Sequence, residues 1–175
     1  MERKDMSPRD QMLLTCLSCL PQKIVAMHDA ENITEFVLHE LCGKQCFNLT
    51  KAAYFIDNPD FDCFKGITGF SQRDCSIGDK EKWESPEQFS DYMKNCSFNN
   101  KVRSINRPST KKTGLKPQKM VSELASQLDF ANPIMHTWPL KHDNSGVLLF
   151  ERGDNDPIDE HLGNGLCLLA FCPVY

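Results

Sequence analysis

The chain has 175 residues, a formal net charge of −4, 40% hydrophobic residues and 25% charged residues. That is the length and balance of one globular domain with a single core, and the net acidity excludes a chain built as a whole to bind a polyanion. Its C-terminal apolar stretch, LCLLAFCPVY, falls far short of the roughly 20 apolar residues that span a bilayer.

In chain order, RDQMLLTCLSCL (9–20) sets Leu13, Cys16, Leu17 and Leu20 on one helical face, and Pro21 is expected to end that helix. Residues 32–42 predict a second helix. Asn32 and Glu35 resemble a capping box, Ile33, Phe36, Val37 and Leu41 form the apolar face, and Gly43 is a natural stop. In AAYFIDNPDFDCFKGITGF (52–70), Ala52, Tyr54 and Ile56 alternate with Ala53 and Phe55. Both faces are apolar, as in a central strand. Asn58-Pro59-Asp60 is turn chemistry, so residues 62–70 predict an antiparallel return strand, weakened by Gly66 and Gly69. Residues 71–84 are polar and loop-like.

Ser85-Pro86-Glu87-Gln88 is a helix start, with Phe89, Tyr92, Met93 and Cys96 following at helical spacing. A short strand is expected around 101–105. A helix is expected from Pro117, burying Met120, Val121, Leu124 and Leu128. PIMHTWPLK (133–141) and GVLLFER (146–152) read as strands joined by a turn at His142-Asp143-Asn144-Ser145. Residues 161–172 read as a closing helix or a last strand, interrupted near its start by Gly163 and Gly165. Together these elements predict an α+β fold: a central, mostly antiparallel sheet with helices packed on it. A helical segment at 1–29 precedes a domain at 30–175.

Two stretches carry a family resemblance. One is the helix ITEFVLHELC leading into the strand AAYFID. The other is HTWPLKHDNSGVLLFER, where Pro139-Leu140, a turn and Gly146-Val147-Leu148 follow one another as they do in GAF domains, relatives of PAS domains. Over about residues 30–155 the chain resembles that family. The resemblance implies a GAF/PAS-like sensory or dimerising module, with a small-molecule ligand held between the sheet and the helices and loops of 72–130. Such a module acts through an effector protein. The chain departs from the family in its short or absent closing helix. It also lacks an Asn-Lys-Phe-Asp-Glu motif, so cyclic-nucleotide binding is not implied.

The remaining signals are clusters of reactive or charged side chains. His136 and Trp138 share one face of an expected central strand. With Tyr54 they suit the wall of a ligand cavity or, equally, a core Trp beside a satisfied His. Cys63, Cys75 and Cys96 fall in or near the region where the ligand is expected, where Lys65 and Arg73 could lower a thiol pKa; inert buried thiols are the alternative. In HELCGKQC, His39, Cys42 and Cys46 would lie on one face if the helix continued, and imidazole with thiolates suits zinc or an iron–sulfur centre. Otherwise Cys42 is core and His39 solvated. Cys16 and Cys19 form a C-x-x-C inside an apolar helical pattern, and they read as packing, as do Cys167 and Cys172.

Residues 101–119 hold seven Lys or Arg and no acid. Lys101, Arg103, Arg107, Lys111 and Lys112 could dock an anion or an acidic partner, or sit on a solvated surface loop. Interleaved aromatics are missing, so nucleic acid is not indicated. Asp154, Asp156, Asp159 and Glu160 depart from calcium-loop spacing and read as a solvated turn. The charged N-terminus lacks a signal-peptide layout, so a cytoplasmic setting is expected and three sequons (Asn32, Asn48, Asn95) carry no weight. In that reducing setting nine cysteines imply core thiols, metal ligands or redox groups rather than disulfides. No P-loop, dinucleotide fingerprint or nucleophile elbow occurs. The expectation is a non-enzymatic, ligand-binding regulatory domain, dimeric through its N-terminal helices. A thiol- or metal-dependent redox protein and a protein-interaction adaptor are the alternatives.

Overall fold

A computed structural model of the chain describes residues 6–27, 29–74, 81–153 and 160–172. Helix α1 (Pro8–Ala26) is opened by a capping box in which Ser7 Oγ accepts from the Asp10 amide. It then runs through Pro21 rather than ending there. A proline inside a helix costs about 3 kcal/mol. Leu20 and Ile24, on either side of it, are buried in the main core, and burial of two such side chains returns about 1.5–3 kcal/mol each. Packing therefore outweighs the broken hydrogen bond.

Helix α2 (Ile33–Cys42) stops at Gly43 as expected. Its start differs from a capping box. Asn32 makes no side-chain bond to the backbone; its Nδ2 donates instead to Glu35 Oε2 at 3.2 Å and Ser90 Oγ at 2.8 Å. Strand β1 (Leu49–Asn58) and strand β2 (Cys63–Ser71) form the hairpin that the Asn58-Pro59-Asp60 turn predicts. Asp62, at φ 48°, completes the reversal.

Helices α3 (Glu81–Glu84), α4 (Pro86–Asn95) and α5 (Ser97–Arg103) follow. Ser85 makes no side-chain cap. The strand expected at 101–105 is mostly helix: Phe98 and Val102 recur at helical spacing and are buried, and pairing begins only with β3 (Asn106–Arg107). Gly66 and Gly69 explain how α5 sits on β2. A Cβ at Gly66 would lie 1.9 Å from the Val102 carbonyl oxygen, and one at Gly69 would lie 2.7 Å from Val102 Cγ2. The two glycines that weaken the strand locally are what lets a helix backbone lie against it.

Helix α6 (Thr110–Thr113), helix α7 (Pro117–Leu128), strand β4 (Ile134–Pro139) and strand β5 (Ser145–Arg152) complete the two layers beside the sheet and the sheet itself. Helix α8 (Glu160–Leu166) passes into a 3-10 turn at Cys167–Phe171. Gly163 and Gly165 lie inside α8 instead of breaking it. Phe47 approaches to 2.5 Å of where a Gly165 Cβ would be, so this glycine serves close packing.

The fold is α+β. The five strands form one antiparallel sheet in the order β3-β2-β1-β5-β4. β1 is apolar on both sides because both faces are covered. Ala52, Tyr54, Leu148 and Phe150 face α1, α2 and the C-terminal helical segment, while Ala53, Phe55, Val147 and Leu149 face α5 and α7. β4, expected to be central, is an edge strand. No helix among the described residues is long and apolar enough to cross a membrane.

Candidate functional site

Tyr54 and Trp138 are brought together although their strands are not neighbours. Trp138, on edge strand β4, pairs with Gly146 on β5, and β5 separates it from β1. A Cβ on Gly146 would stand 2.4 Å from Trp138 Cε2 and 2.6 Å from Nε1. The missing side chain lets the indole lie across β5 and stack on Tyr54, with ring centroids 5.6 Å apart and planes 9° from parallel. His136 stands on the same face, 5.8 Å from the Trp138 ring and half-buried, with α8 closing over it at Gly163.

Beside this aromatic step lies an open cavity of about 780 Å³. Tyr54 and Ile56 of β1 form its floor. Leu140, Lys141, His142 and Asn144 of the β4–β5 turn form one wall, and Leu169, Phe171 and Cys172 form the other. The turn is held by backbone bonds from Leu140 N to Asn144 O (2.8 Å) and from Asn144 N to Lys141 O (3.3 Å), with His142 and Asp143 both at left-handed φ. Three buried polar atoms at this place have no partner among the described residues: Tyr54 Oη, Trp138 Nε1 and Asn144 Oδ1. Buried polar groups are paired as a rule, and an orphan costs about 1–3 kcal/mol. Burial, with a contribution from Cys172, pushes the Tyr54 phenol above its ordinary range; burial pushes the Cys172 thiol up to about 12. Near neutral pH both stay protonated, so each can donate a hydrogen bond.

The other candidate residues are dispersed. Cys96 is buried in the cluster on the opposite face of the sheet. Cys63 opens β2, where its Sγ lies 3.3 Å from Asn106 Oδ1. Cys75 lies outside the described residues. The layer between the sheet and residues 96–130 is packed with Phe55, Phe64, Phe98, Val102, Met120 and Leu124, whereas Phe89 and Met93 of α4 pack on the other face. The cavity lies on the other side, under the C-terminal segment.

His39, Cys42 and Cys46 are all buried, and the helix stops before Cys46 joins their face. His39 is not solvated: its ring meets Phe70 and Phe89 edge-on, and its Nε2 has no partner among the described residues. Among the described residues no three His, Cys, Asp or Glu side chains are grouped to hold a metal ion. Cys46 does stand beside another thiol, Cys16 of α1; this neighbour lowers the Cys16 pKa, while Cys16 and burial push the Cys46 thiol up.

The basic segment is ordered into the end of α5, β3, α6 and the start of α7 rather than being a loop. Its cations are already engaged: Lys101 with Asp129 at 2.6 Å, Arg103 with Glu35 at 3.2 Å, Arg107 with Glu123 at 3.0 Å and Lys111 with Asp143 at 3.2 Å. Lys112 is exposed.

Sequence reasoning missed Lys141, which it read as the end of a strand that in fact stops at Pro139, and His142 and Asn144, which it read only as turn residues, and it took Cys172 for core alone. The class these features define is an α+β domain with a side cavity at one end of its sheet. No family model, no curated protein and no solved structure matches the chain.

Proposed function

We propose that the chain is a non-enzymatic, GAF-like sensory domain that binds a small molecule and passes its state to a partner protein in the cytoplasm. The observation that carries this reading is the cavity lined by Tyr54, whose Oη is buried and without a partner among the described residues. A buried hydroxyl without a partner, at an open apolar cavity within the roughly 300–1,000 Å³ range of ligand sites, is matched by a ligand that supplies an acceptor. The order of the resembling segments supports the reading: α2 precedes β1, and Pro139-Leu140, the turn and Gly146-Val147-Leu148 belong to the β4–β5 hairpin beside the cavity. Ala170 also lines the cavity and is exposed, so Ala170→Trp fills it without entering the core. Small molecules released on denaturing the purified chain should include a stoichiometric species that is absent from the Ala170→Trp variant. Identical released profiles from the two proteins would sink the reading. Pairing of two copies through α1 belongs to the same proposal, and sedimentation velocity of the full chain checks it.

A second reading, a thiol switch, is favoured by the adjacency of the Cys16 and Cys46 thiols. Hydrogen peroxide would take two electrons and two protons from the thiol pair, joining the sulfurs and leaving two waters. Peptide mapping after peroxide treatment should show a Cys16–Cys46 link, and sulfinic acid formation without that link would discard it.

A further inference from the structure

Four features of the cavity bear on the chemistry of what it takes. Among the described residues that line it there is no Asp or Glu, whereas Lys141 and His142 stand together on the turn at its mouth. The one carboxylate of that turn, Asp143, is engaged elsewhere, with its Oδ1 3.2 Å from Lys111 Nζ. The floor includes Tyr54, whose buried hydroxyl stays protonated, and the wall includes Asn144, whose Oδ1 is an acceptor without a partner among the described residues. The rest of the lining is apolar, from Ile56, Leu140 and Leu169.

Resting on the ligand-binding reading above, we propose that the cavity takes a small organic acid. Its apolar body lies against Ile56, Leu140 and Leu169, and its carboxylate is held at the mouth by Lys141 and His142, with Tyr54 Oη donating to a polar atom deeper in. A flexible ammonium suits a carboxylate as a point charge, and the apolar floor disfavours a ligand polar throughout, because it would lose hydration there without gaining partners. The turn needs no rearrangement to present these groups. Its two backbone bonds already set the backbone that carries Lys141 and His142 at the rim, which lowers the backbone part of the ordering cost of binding.

The test uses the full chain and two probes of equal shape, 4-phenylbutyrate and its neutral amide, 4-phenylbutyramide, followed by NMR on assigned methyl and indole resonances. Trp83→Phe identifies the Trp138 indole signal. The acid is expected to shift Leu140, Leu169 and the Trp138 indole saturably, and to bind at least about ten-fold more tightly than the amide. Lys141→Gln with His142→Gln should erase that preference while leaving amide affinity within about two-fold. Both substitutions fall on exposed turn side chains, so the fold is unaffected. Equal binding of acid and amide at those resonances would overturn the carboxylate assignment and leave the ligand cavity standing. Absence of saturable shifts with both probes, or shifts scattered outside the cavity, would overturn both.

Discussion

Gly146→Ala is the sharpest test of the aromatic arrangement, because it adds one methyl group where the indole passes. The new Cβ would stand 2.4 Å from Trp138 Cε2 and 2.7 Å from Cζ2, distances no carbon pair tolerates, so the ring must leave the Tyr54 stack. Overpacking of this kind costs about 1–3 kcal/mol. The backbone itself raises no objection, since Gly146 is not at positive φ. Replacing glycine by alanine at a permitted position otherwise gains about 0.4–1 kcal/mol by restricting the unfolded chain. The balance is a loss of about 1–2 kcal/mol, a fall in Tm of about 2–8 °C for a chain of this size. Urea and thermal unfolding followed by circular dichroism measure it, with the near-ultraviolet signal reporting the Tyr54–Trp138 pair. The same substitution in a Trp138→Leu background should cost nothing, because the clash has gone, and the difference between the two backgrounds is the coupling energy. An equal effect in both backgrounds, or none in the first, would refute the account of why the rings meet.

Gly66→Ala should be more damaging, at about 3 kcal/mol or above, since its Cβ would strike the Val102 carbonyl of α5 rather than a movable ring; a variant within 1 kcal/mol of the parent, on the order of surface effects, would contradict this. Asn99→Ala removes the hub that accepts from Thr68 Oγ1 and the Gly69 amide and donates to Glu35 Oε1 and the Met93 carbonyl. Leaving several buried groups unpaired should cost at least about 3 kcal/mol, and urea unfolding that shows less would place these groups in contact with water. His39 gives a pH dependence. Burial, and then the Lys82 charge, lower its pKa to about 3 from 6.5, so between those values the unfolded chain carries a proton that the folded one refuses. Stability is therefore full above about pH 6.5 and falls as pH drops, by about 2.7 kcal/mol at pH 4.5 at 1.4 kcal/mol per unit. His39→Leu should remove that part of the slope, and parallel losses in parent and variant would show that His39 is not the group responsible.

The elements that could be read from sequence are those whose causes are local. β1 alternates apolar residues on two faces and is followed by turn residues, so both the strand and its reversal follow from about ten residues. α7 announces itself by Pro117 and a helical spacing of Met120, Leu124 and Leu128. The misjudged elements had non-local causes. Pro21 is tolerated because Leu20 and Ile24 are buried in the same core as α2. Residues 101–103 are helical because Phe98 and Val102 anchor α5 on glycines some thirty residues earlier in the chain.

The cavity divides the same way. Counting back from the Leu140–Asn144 closure sets Pro139 opposite Ser145 and Trp138 opposite Gly146. The turn expected at His142-Asp143-Asn144-Ser145 would instead have set Lys141 opposite Gly146, so the small residue beneath the large ring follows only once that closure is known. What no local count supplies is that β5 also pairs with β1, carrying the indole to Tyr54, and that the C-terminal turn returns to the end of the same sheet. A residue two strands away can share a wall with Tyr54 only if the strand between contributes no side chain at the crossing. Gly146 meets that condition, and it makes the aromatic step at this cavity a consequence of register rather than of any motif.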